Sequence, residues 1–371
     1  MEDKILKKVL GQCLFFLLIL CVGSVCYTCW IEGKGQEYLT TAREKEQVMV
    51  TSEQEELLYT DSLDSREDIM EQIGDKYIKI AKHQGDLLPM NLKDLYQTRQ
   101  VKLTIYHLQK ENISSKDIYR VENGEEESEG DSALKEFRKN TTVSFMQDSA
   151  GKYTAEILLP MDNVYGYRIY EDEQFIYIEC CRPKEVYDYI LVVDAGHGGK
   201  DTGTPAISGT WEEKDYNLDF VQKIEENWDM ENCKLYLTRW DDSQISLSSR
   251  VDFANKVEAD WFVSVHCNGT DEYEGTGLEA LYKTNAYKKQ SREMAQLCME
   301  ELEKETGFSN RGLLDGQKIY IIRNANMPMI LLEMGFLSDM ENLSFMKKEA
   351  NRDKMAKAVC RALREGMETI K

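Results

Sequence analysis

The stretch YILVVDAGHGGKD, residues 189–201, decides the fold class. Its first half, YILVVD (189–194), is an almost continuous apolar run, which is typical of a strand buried on both faces of a sheet. A glycine-rich polar segment containing His197 follows at once and ends the strand. A buried strand that ends in glycines and polar residues is typical of the functional edge of an open α/β sheet.

The sequence beyond this stretch alternates between strand and helix patterns. Apolar runs predict strands, and apolar residues spaced three and four apart predict helices. The predicted strands are KLYLT (234–238), DWFVSVH (260–266), GLEALYK (277–283), IYII (319–322) and MILLE (329–333). The predicted helices cover 217–228, 246–259 with Ser246 as N-cap, 287–306 and the end of the chain. We therefore predict an α/β domain over 187–371, with a mixed twisted sheet and helices on both faces.

Two further segments precede this domain. Residues 32–95 are polar and acidic with short helical patterns such as EDIMEQIGDKYIKIAKH, which predicts an acidic helical linker or stalk. Residues 96–186 change to a period of two, as in VKLTIYHL and YTAEILLP, and predict a small β-sandwich-like module.

The N-terminal residues predict a membrane anchor. Val9–Ile31 is a run without charge, and as a helix it would span roughly 34 Å, enough for a hydrocarbon core of about 30 Å. Lys4, Lys7 and Lys8 precede the run, so residues 1–8 are expected in the cytoplasm and the rest of the chain outside. A cleaved signal peptide and a lipoprotein signal are the alternatives, but the run is long and has no A-x-A-like site.

Charge and cysteine content exclude several classes of protein. The net charge of −21 argues against nucleic-acid binding, which needs a basic face. Four of the ten cysteines fall in the predicted anchor, and the others show no framework spacing. Most of those six occupy apolar positions of periodic segments, so we expect few or no disulfides.

Four polar residues fall at predicted strand ends or in an adjoining loop: His197, Glu213, His266 and Glu333. Two imidazoles and one carboxylate can give Zn²⁺ three ligands and leave a fourth position for water. A second carboxylate can take a proton from that water and pass it to a leaving nitrogen. The four residues together therefore predict a hydrolytic zinc site.

Each of these residues also has a structural interpretation. His197 could stand in a simple glycine turn or a phosphate-binding loop, although G-x-G-x-x-G and G-x-x-x-x-G-K-[ST] are both absent. His266 alone could be a core histidine. Glu333 follows an apolar run and is costly to bury unless it is paired or linked to a metal, which favours the joint interpretation.

The motifs DAGHGGKD, EKDYNL, SSRVDFAN, SVHCN, RGL and MPMILLEMGFLSD follow one another in this order over residues 189–369. In this order and spacing the segment resembles the zinc-dependent N-acetylmuramoyl-L-alanine amidases of bacterial cell-wall turnover, the amidase type 3 family. The resemblance implies hydrolysis of the amide that joins N-acetylmuramic acid to L-alanine in peptidoglycan. Peptidoglycan is thus the expected substrate, and no nucleic acid is expected as a partner.

The resemblance also implies roles for individual residues. The metal ligands of the family correspond to His197, Glu213 and His266, and its catalytic carboxylate corresponds to Glu333. Glu212 is the neighbouring alternative, and Glu213 is preferred because it directly precedes Lys-Asp. Cys267 stands where the family often has alanine, and it is expected in the core because strand neighbours point to opposite faces.

Upstream, the β-rich segment resembles the modules found before such amidases, including the AMIN type, which are thought to hold the enzyme to the wall. Some family members carry an inhibitory helix over the zinc site, and the spacing after His266 leaves no room for one. Two other functions stay open. One is a non-catalytic amidase-like binding or regulatory protein; the other is a zinc peptidase, whose common H-E-x-x-H signature is absent.

Overall fold

The structure is a computed structural model that describes residues 66–83, 88–208, 211–270 and 275–370. The predicted cytoplasmic segment 1–8 and the predicted anchor 9–31 lie outside these residues. Among the helices that are described, none combines the length and the apolar character needed to cross a bilayer.

Two antiparallel sheets make up the part before residue 187. Their strands are β1 (Tyr77–Ala81), β2 (Met90–Leu95), β3 (Gln100–Leu108), β4 (Ile118–Glu122), β5 (Glu125–Glu126), β6 (Thr142–Gln147), β7 (Tyr153–Pro160), β8 (Gly166–Glu171) and β9 (Phe175–Cys181). One sheet has the strand order β5-β4-β1-β9-β8 and the other has the order β2-β3-β7-β6. The helices of this part are α1 (Arg66–Gln72), α2 (Ser132–Asn140) and α3 (Pro183–Val186).

Both sheets contribute to one apolar cluster. Ile78 and Ile80 of β1 are buried in it together with Leu103 and Ile105 of β3. These residues alternate along their strands, so the period of two in the sequence marks the buried face of each sheet. The β-rich character predicted for 96–186 is present.

The predicted helical linker over 32–95 is wrong for its last part. Only Arg66–Gln72 is helical among its described residues, whereas Tyr77–Ala81 and Met90–Leu95 are strands. The segment YIKIA pairs with β4 on one side and β9 on the other. A short apolar pattern such as this one fits the period of a helix as well as that of a strand. The β-rich part therefore begins before residue 96.

The part from residue 187 is built on a six-stranded sheet. Its strands are β10 (Tyr189–Ala195), β11 (Cys233–Leu237), β12 (Trp261–Asn268), β13 (Leu278–Tyr282), β14 (Asn310–Asp315) and β15 (Met329–Phe336). They lie in the order β11-β10-β12-β15-β13-β14. Four of them are parallel, β13 is antiparallel to β15, and β14 is parallel to β13. The mixed sheet agrees with the predicted α/β class.

Helices cover both faces of this sheet. They are α4 (Glu213–Glu226), α5 (Leu247–Lys256), α6 (Lys288–Thr306), α7 (Tyr320–Asn324), α8 (Met340–Met346) and α9 (Glu349–Thr369). Leu191 and Val193 of β10 pack in the cluster that contains α4, α6 and α9. Ile190 and Val192 pack on the opposite face in the cluster that contains α5 and α7. The central strand is thus buried on both faces, as its continuous apolar run predicts.

The strand predicted at IYII is wrong, since Tyr320–Asn324 is helix α7. Its C-terminal turn is held by buried Lys283, whose Nζ donates to the carbonyls of Ile322 and Ala325 at 2.8 and 2.7 Å. A cation that binds the last carbonyls stabilises a helix end, and this partner is distant in sequence. The edge strand β14 was not predicted either.

The β-rich part contacts the free edge of this sheet at β11. The backbone N–H of Leu237 donates to the hydroxyl of Tyr96 at 2.7 Å, and Lys234 lies 3.2 Å from Asp94. Tyr96 is buried in the same cluster as α5. These contacts cover an edge that would otherwise present unpaired backbone groups.

Candidate metal centre

The four residues predicted to form a site all lie at one edge of the six-stranded sheet. His197 follows the end of β10, His266 lies near the end of β12, and Glu333 lies in β15. These three strands are adjacent and parallel, so their carboxyl ends meet at this edge. Glu213 is the first residue of α4, which begins above the same edge.

Three of the four side chains converge on one point. His197 Nε2 lies 3.2 Å from Glu213 Oε1, and His266 Nδ1 lies 2.9 Å from the same oxygen. The two imidazole rings meet edge to face, with centroids 4.9 Å apart. One ligand atom of each residue lies within 4.8 Å of the other two.

This donor set fits a zinc ion. Zinc bonds of about 2.0–2.1 Å in tetrahedral geometry place two donor atoms roughly 3.3 Å apart, close to the distance of each imidazole nitrogen from Glu213 Oε1. The second oxygen of Glu213 is held by the backbone N–H of Thr204 at 2.7 Å, which orients the first oxygen toward the histidines. The three residues could therefore bind a divalent metal in the predicted way.

Glu213 and His197 of the cluster change each other's ionisation. Burial raises the pKa of the Glu213 carboxyl, but hydrogen bonds and charge from both imidazoles outweigh it and hold this pKa well below its usual value. Burial lowers the pKa of His197, whereas Glu213 and Asp201 raise it to a net value of about 9. Glu213 therefore stays ionised, as a metal ligand must be, whereas His197 has to release its proton when a metal binds.

Glu333 lies beside the cluster with a different environment. It is the register partner of His266 on the neighbouring strand, so both side chains lie on the same face of the sheet. Its Oε2 is buried and has no hydrogen-bond partner among the described residues. Burial is the largest influence on the pKa of this carboxyl and raises it. His266 lowers the pKa and Glu213 raises it further, and the net value is about 7. Glu333 can therefore hold or release a proton near neutral pH.

The structure separates the two adjacent glutamates. Glu213 is 2% exposed and contacts both histidines. Glu212 is the N-cap residue of α4; its backbone N–H donates to Asp215 and its side chain lies 3.7 Å from Lys214. Only Glu213 is placed to join the histidines.

Cys267 lies on the other side of the sheet from His266, in the cluster with α4, α6 and α9. Burial raises the pKa of its thiol well above the usual value, so the thiol stays protonated. The prediction that Cys267 belongs to the core is confirmed. Within the described part of the chain all six cysteines are free, as expected.

A buried network that the sequence analysis did not assign supports His197. Arg250 donates to the His197 carbonyl at 2.6 Å and to Asp194 Oδ1 at 2.6 Å. Asp194 also accepts from Ser264 and Thr238, each at 2.6 Å. His197 has a φ of 62°, a left-handed conformation that is strained for a residue with a side chain and needs such support. In the sequence, this network is indicated only by Asp194, a charged residue that ends the apolar run YILVVD.

Gly196 leaves space for the imidazole ring of His266. A Cβ at this position would lie 2.2 Å from His266 Cε1. We predict that Gly196→Ala displaces the imidazole and lowers zinc affinity by about 10–100-fold, the range seen when the support of a ligand is lost. Competition with a chromogenic chelator measures this affinity.

The matched control for that substitution is Gly130→Ala, where a Cβ would make ordinary contact at 3.5 Å from Ser128 Oγ. Gly130→Ala should leave zinc affinity unchanged. Equal affinity in both variants would show that Gly196 does not set the position of His266.

The prediction of no inhibitory helix concerns the segment between His266 and α7. Its described residues form β13, α6 and β14. Helix α6 lies within the helix predicted over 287–306 and buries Met294, Cys298 and Leu302 in the core. Residues 271–274 lie outside the described part of the chain, so this point stays a prediction.

Part of this chain is similar to known proteins. Residues 191–365 match the family described as N-acetylmuramoyl-L-alanine amidase. The amidase LytC of Bacillus subtilis (strain 168) is 30% identical over 169 residues, which cover 46% of this chain and 34% of LytC. This chain thus spans about a third of that relative.

Two solved structures are also similar. The catalytic domain of CwlV, an N-acetylmuramoyl-L-alanine amidase from Bacillus (Paenibacillus) polymyxa var. colistinus, is 31% identical and has a TM-score of 0.46. That match covers 48% of this chain and 98% of the other. The N-acetylmuramoyl-L-alanine amidase from Clostridium difficile 630 is 29% identical, with a TM-score of 0.47 and coverage of 49% and 98%.

Proposed function

Because residues 191–365 form a domain of the N-acetylmuramoyl-L-alanine amidase family, we propose that this chain hydrolyses the amide between N-acetylmuramic acid and L-alanine in peptidoglycan. One observation supports this proposal above all others. Two imidazoles and a carboxylate gather around one point, and a buried carboxyl with an unpartnered oxygen lies on the next strand. This is the inventory that metal-assisted amide hydrolysis needs.

We propose His197, Glu213 and His266 as the ligands of a Zn²⁺ ion. A zinc ion held there would supply a Lewis acid that activates water and stabilises negative charge on the amide oxygen. The protein holds the ligands rigidly for this purpose. Glu213 is fixed by Thr204, and the backbone of His197 is fixed by Arg250.

Glu333 is proposed as the proton carrier of the reaction. Its Oε2 accepts a proton from the attacking water, and the same oxygen then gives the proton to the departing L-alanine nitrogen. The water oxygen forms a bond to the amide carbonyl carbon as the carbon–nitrogen bond breaks. A carboxyl with a pKa of about 7 suits both halves of this cycle, since it can accept and donate near neutral pH.

Product analysis tests the proposed reaction. Full-length protein incubated with purified peptidoglycan should release intact stem peptides with free L-alanine amino groups and leave glycan strands without peptides. Removing the metal with a chelator should abolish release, and added Zn²⁺ should restore it. Mass spectrometry of the soluble products measures both results.

The other two candidate functions give different products in the same assay. A zinc peptidase would cut inside the stem peptide and leave L-alanine attached to the glycan. A binding or regulatory protein would bind the wall and release nothing. Either result would contradict the proposed amidase reaction.

The proposed location is the outer face of the cell membrane, with the catalytic domain toward the wall. The uncharged run Val9–Ile31 and the lysines before it support this proposal. The β-rich part, with its resemblance to AMIN-type modules, is proposed to help hold the chain on peptidoglycan. Fractionation of cells that produce the chain with and without residues 1–31 tests the anchor.

A further inference from the structure

A row of ionisable side chains crosses four adjacent strands at the edge of the proposed metal centre. His266 on β12 is the register partner of Glu333 on β15, and Glu333 is the register partner of Glu279 on β13. Side chains at paired positions lie on the same face of a sheet. Arg311 on the edge strand β14 completes the row, because its Nε donates to Glu279 Oε1 at 2.5 Å.

Arg311 is held in position from two sides. Glu279 binds its Nε through one oxygen, and the other oxygen of Glu279 accepts from Asn268 Nδ2 at 2.9 Å. The guanidinium also lies over the ring of buried Phe336, 5.1 Å from its centroid. Arg311 is thus a positioned cation and not a freely moving surface side chain.

Part of this cation remains open to solvent. The Arg311 side chain is 39% exposed, compared with 14% for Glu279. On this face of the sheet, α5 and α7 pack against earlier positions of the strands such as Phe262 and Leu331. An ion pair that is this exposed contributes little to stability. A structural role therefore does not account for the several contacts that hold Arg311 in position.

We propose that Arg311 binds the α-carboxylate of the second residue of the stem peptide and so determines which peptidoglycan is cut. This inference rests on the proposed amidase function. It makes Arg311 a substrate-binding residue and Glu279 the residue that positions it. Guanidinium groups suit carboxylate recognition because their planar donors match the two oxygens.

The distances agree with this assignment. In the proposed reaction Glu333 lies beside the scissile nitrogen. In an extended stem peptide, the α-carboxylate of the second residue lies roughly 6 Å from that nitrogen. Neighbouring strands are about 4.8 Å apart, so the backbone of Arg311 on β14 lies two strand spacings, roughly 10 Å, from that of Glu333 on β15. The Arg311 side chain reaches back across this gap, since its guanidinium lies over the ring of Phe336 on β15. Peptidoglycans differ at this carboxyl, which is free in some and amidated in others.

The experiment compares three muropeptides with the same glycan and stem length. One has free carboxyls, one is amidated at the α-carboxyl of the second residue, and one is amidated at the third residue. Full-length wild type should prefer the first and third substrates to the second by about tenfold or more in kcat/KM, the value of a hydrogen bond to a charged group. Arg311→Gln should erase this preference, mainly by raising KM on the two preferred substrates.

Arg323→Gln is the matched control, since Arg323 lies on α7, and its guanidinium contacts the carbonyls of Gln317 and Lys318. It should keep the wild-type preference. Arg311→Lys should recover part of the preference, and each variant should bind one zinc per chain as evidence of an intact fold.

Several outcomes would overturn the inference. Equal loss on all three substrates in Arg311→Gln would mean a structural role, and no loss would mean no contact with substrate. Sensitivity to amidation at the third residue alone would assign Arg311 to a different carboxylate. If wild type cuts none of the substrates, the proposed function fails together with this inference. If wild type cuts them and Arg311→Gln keeps the wild-type preference, the inference alone is refuted.

Discussion

Replacing Glu333 by glutamine should slow peptidoglycan hydrolysis by about 10²–10⁴-fold while the protein still binds one zinc per chain. The range is that of a general acid–base group. Glutamine keeps the size of the side chain but cannot take a proton from water or give one to the leaving nitrogen. The substitution also leaves His197, Glu213 and His266 in place. Release of stem peptides measures the rate, and atomic absorption measures the zinc.

Glu341→Gln is the control for Glu333→Gln, because it removes the charge of an exposed glutamate in the first turn of α8. It should hydrolyse peptidoglycan at the wild-type rate. Near wild-type hydrolysis by Glu333→Gln would remove Glu333 from the mechanism. Loss of zinc from Glu333→Gln would instead make this residue part of the metal centre.

The second large effect is expected at the pair of adjacent glutamates. Glu213→Gln should lower zinc affinity by more than about 100-fold. Loss of a residue that only hydrogen-bonds to a metal ligand costs about 10–100-fold, and loss of a ligand itself should cost more. An amide oxygen carries no charge and is a poor zinc ligand beside two imidazoles. Glu212→Gln should bind zinc as the wild type does, because its side chain points toward Lys214 and not toward the histidines.

Chelator competition on both purified variants tests this difference, and thermal unfolding without metal checks that each remains folded. Equal zinc affinity in the two variants would show that neither glutamate binds the metal. A larger loss of zinc affinity in Glu212→Gln would mean that Glu212, and not Glu213, faces the metal centre at the start of α4.

The sequence was sufficient for the main architecture of the domain after residue 187. The strands of the central sheet were predicted because their apolar runs are long and end in polar residues. This placed His197, His266 and Glu333 at one edge, where the structure has them. The N-cap at Ser246 was predicted as well, and its hydroxyl accepts from the N–H of Ser249 at 3.1 Å.

Short segments could not be predicted because their structure depends on distant partners. YIKIA in 77–81 became a strand by pairing with residues about a hundred positions away. IYII became a helix whose end is bound by Lys283. Local periodicity in such short runs fits both structures, and tertiary contacts decide between them.

The residues that support the candidate site from outside could not be predicted from the sequence either. Arg250 supports the backbone of His197, and Arg311 joins Glu279 beside Glu333. Neither arginine lies next to its partner in the chain. Pairs of this kind depend on which strands become neighbours, and the order β12-β15-β13-β14 could not be read from local pattern alone.

Anomalous diffraction at the zinc absorption edge, from crystals of the zinc-loaded chain, tests the proposed metal centre most directly. We expect one zinc atom, bound by one nitrogen of His197, one nitrogen of His266 and a carboxylate oxygen of Glu213, with Glu333 beside it. A zinc atom bound elsewhere, a sulfur ligand, or no ordered zinc at these residues would contradict it.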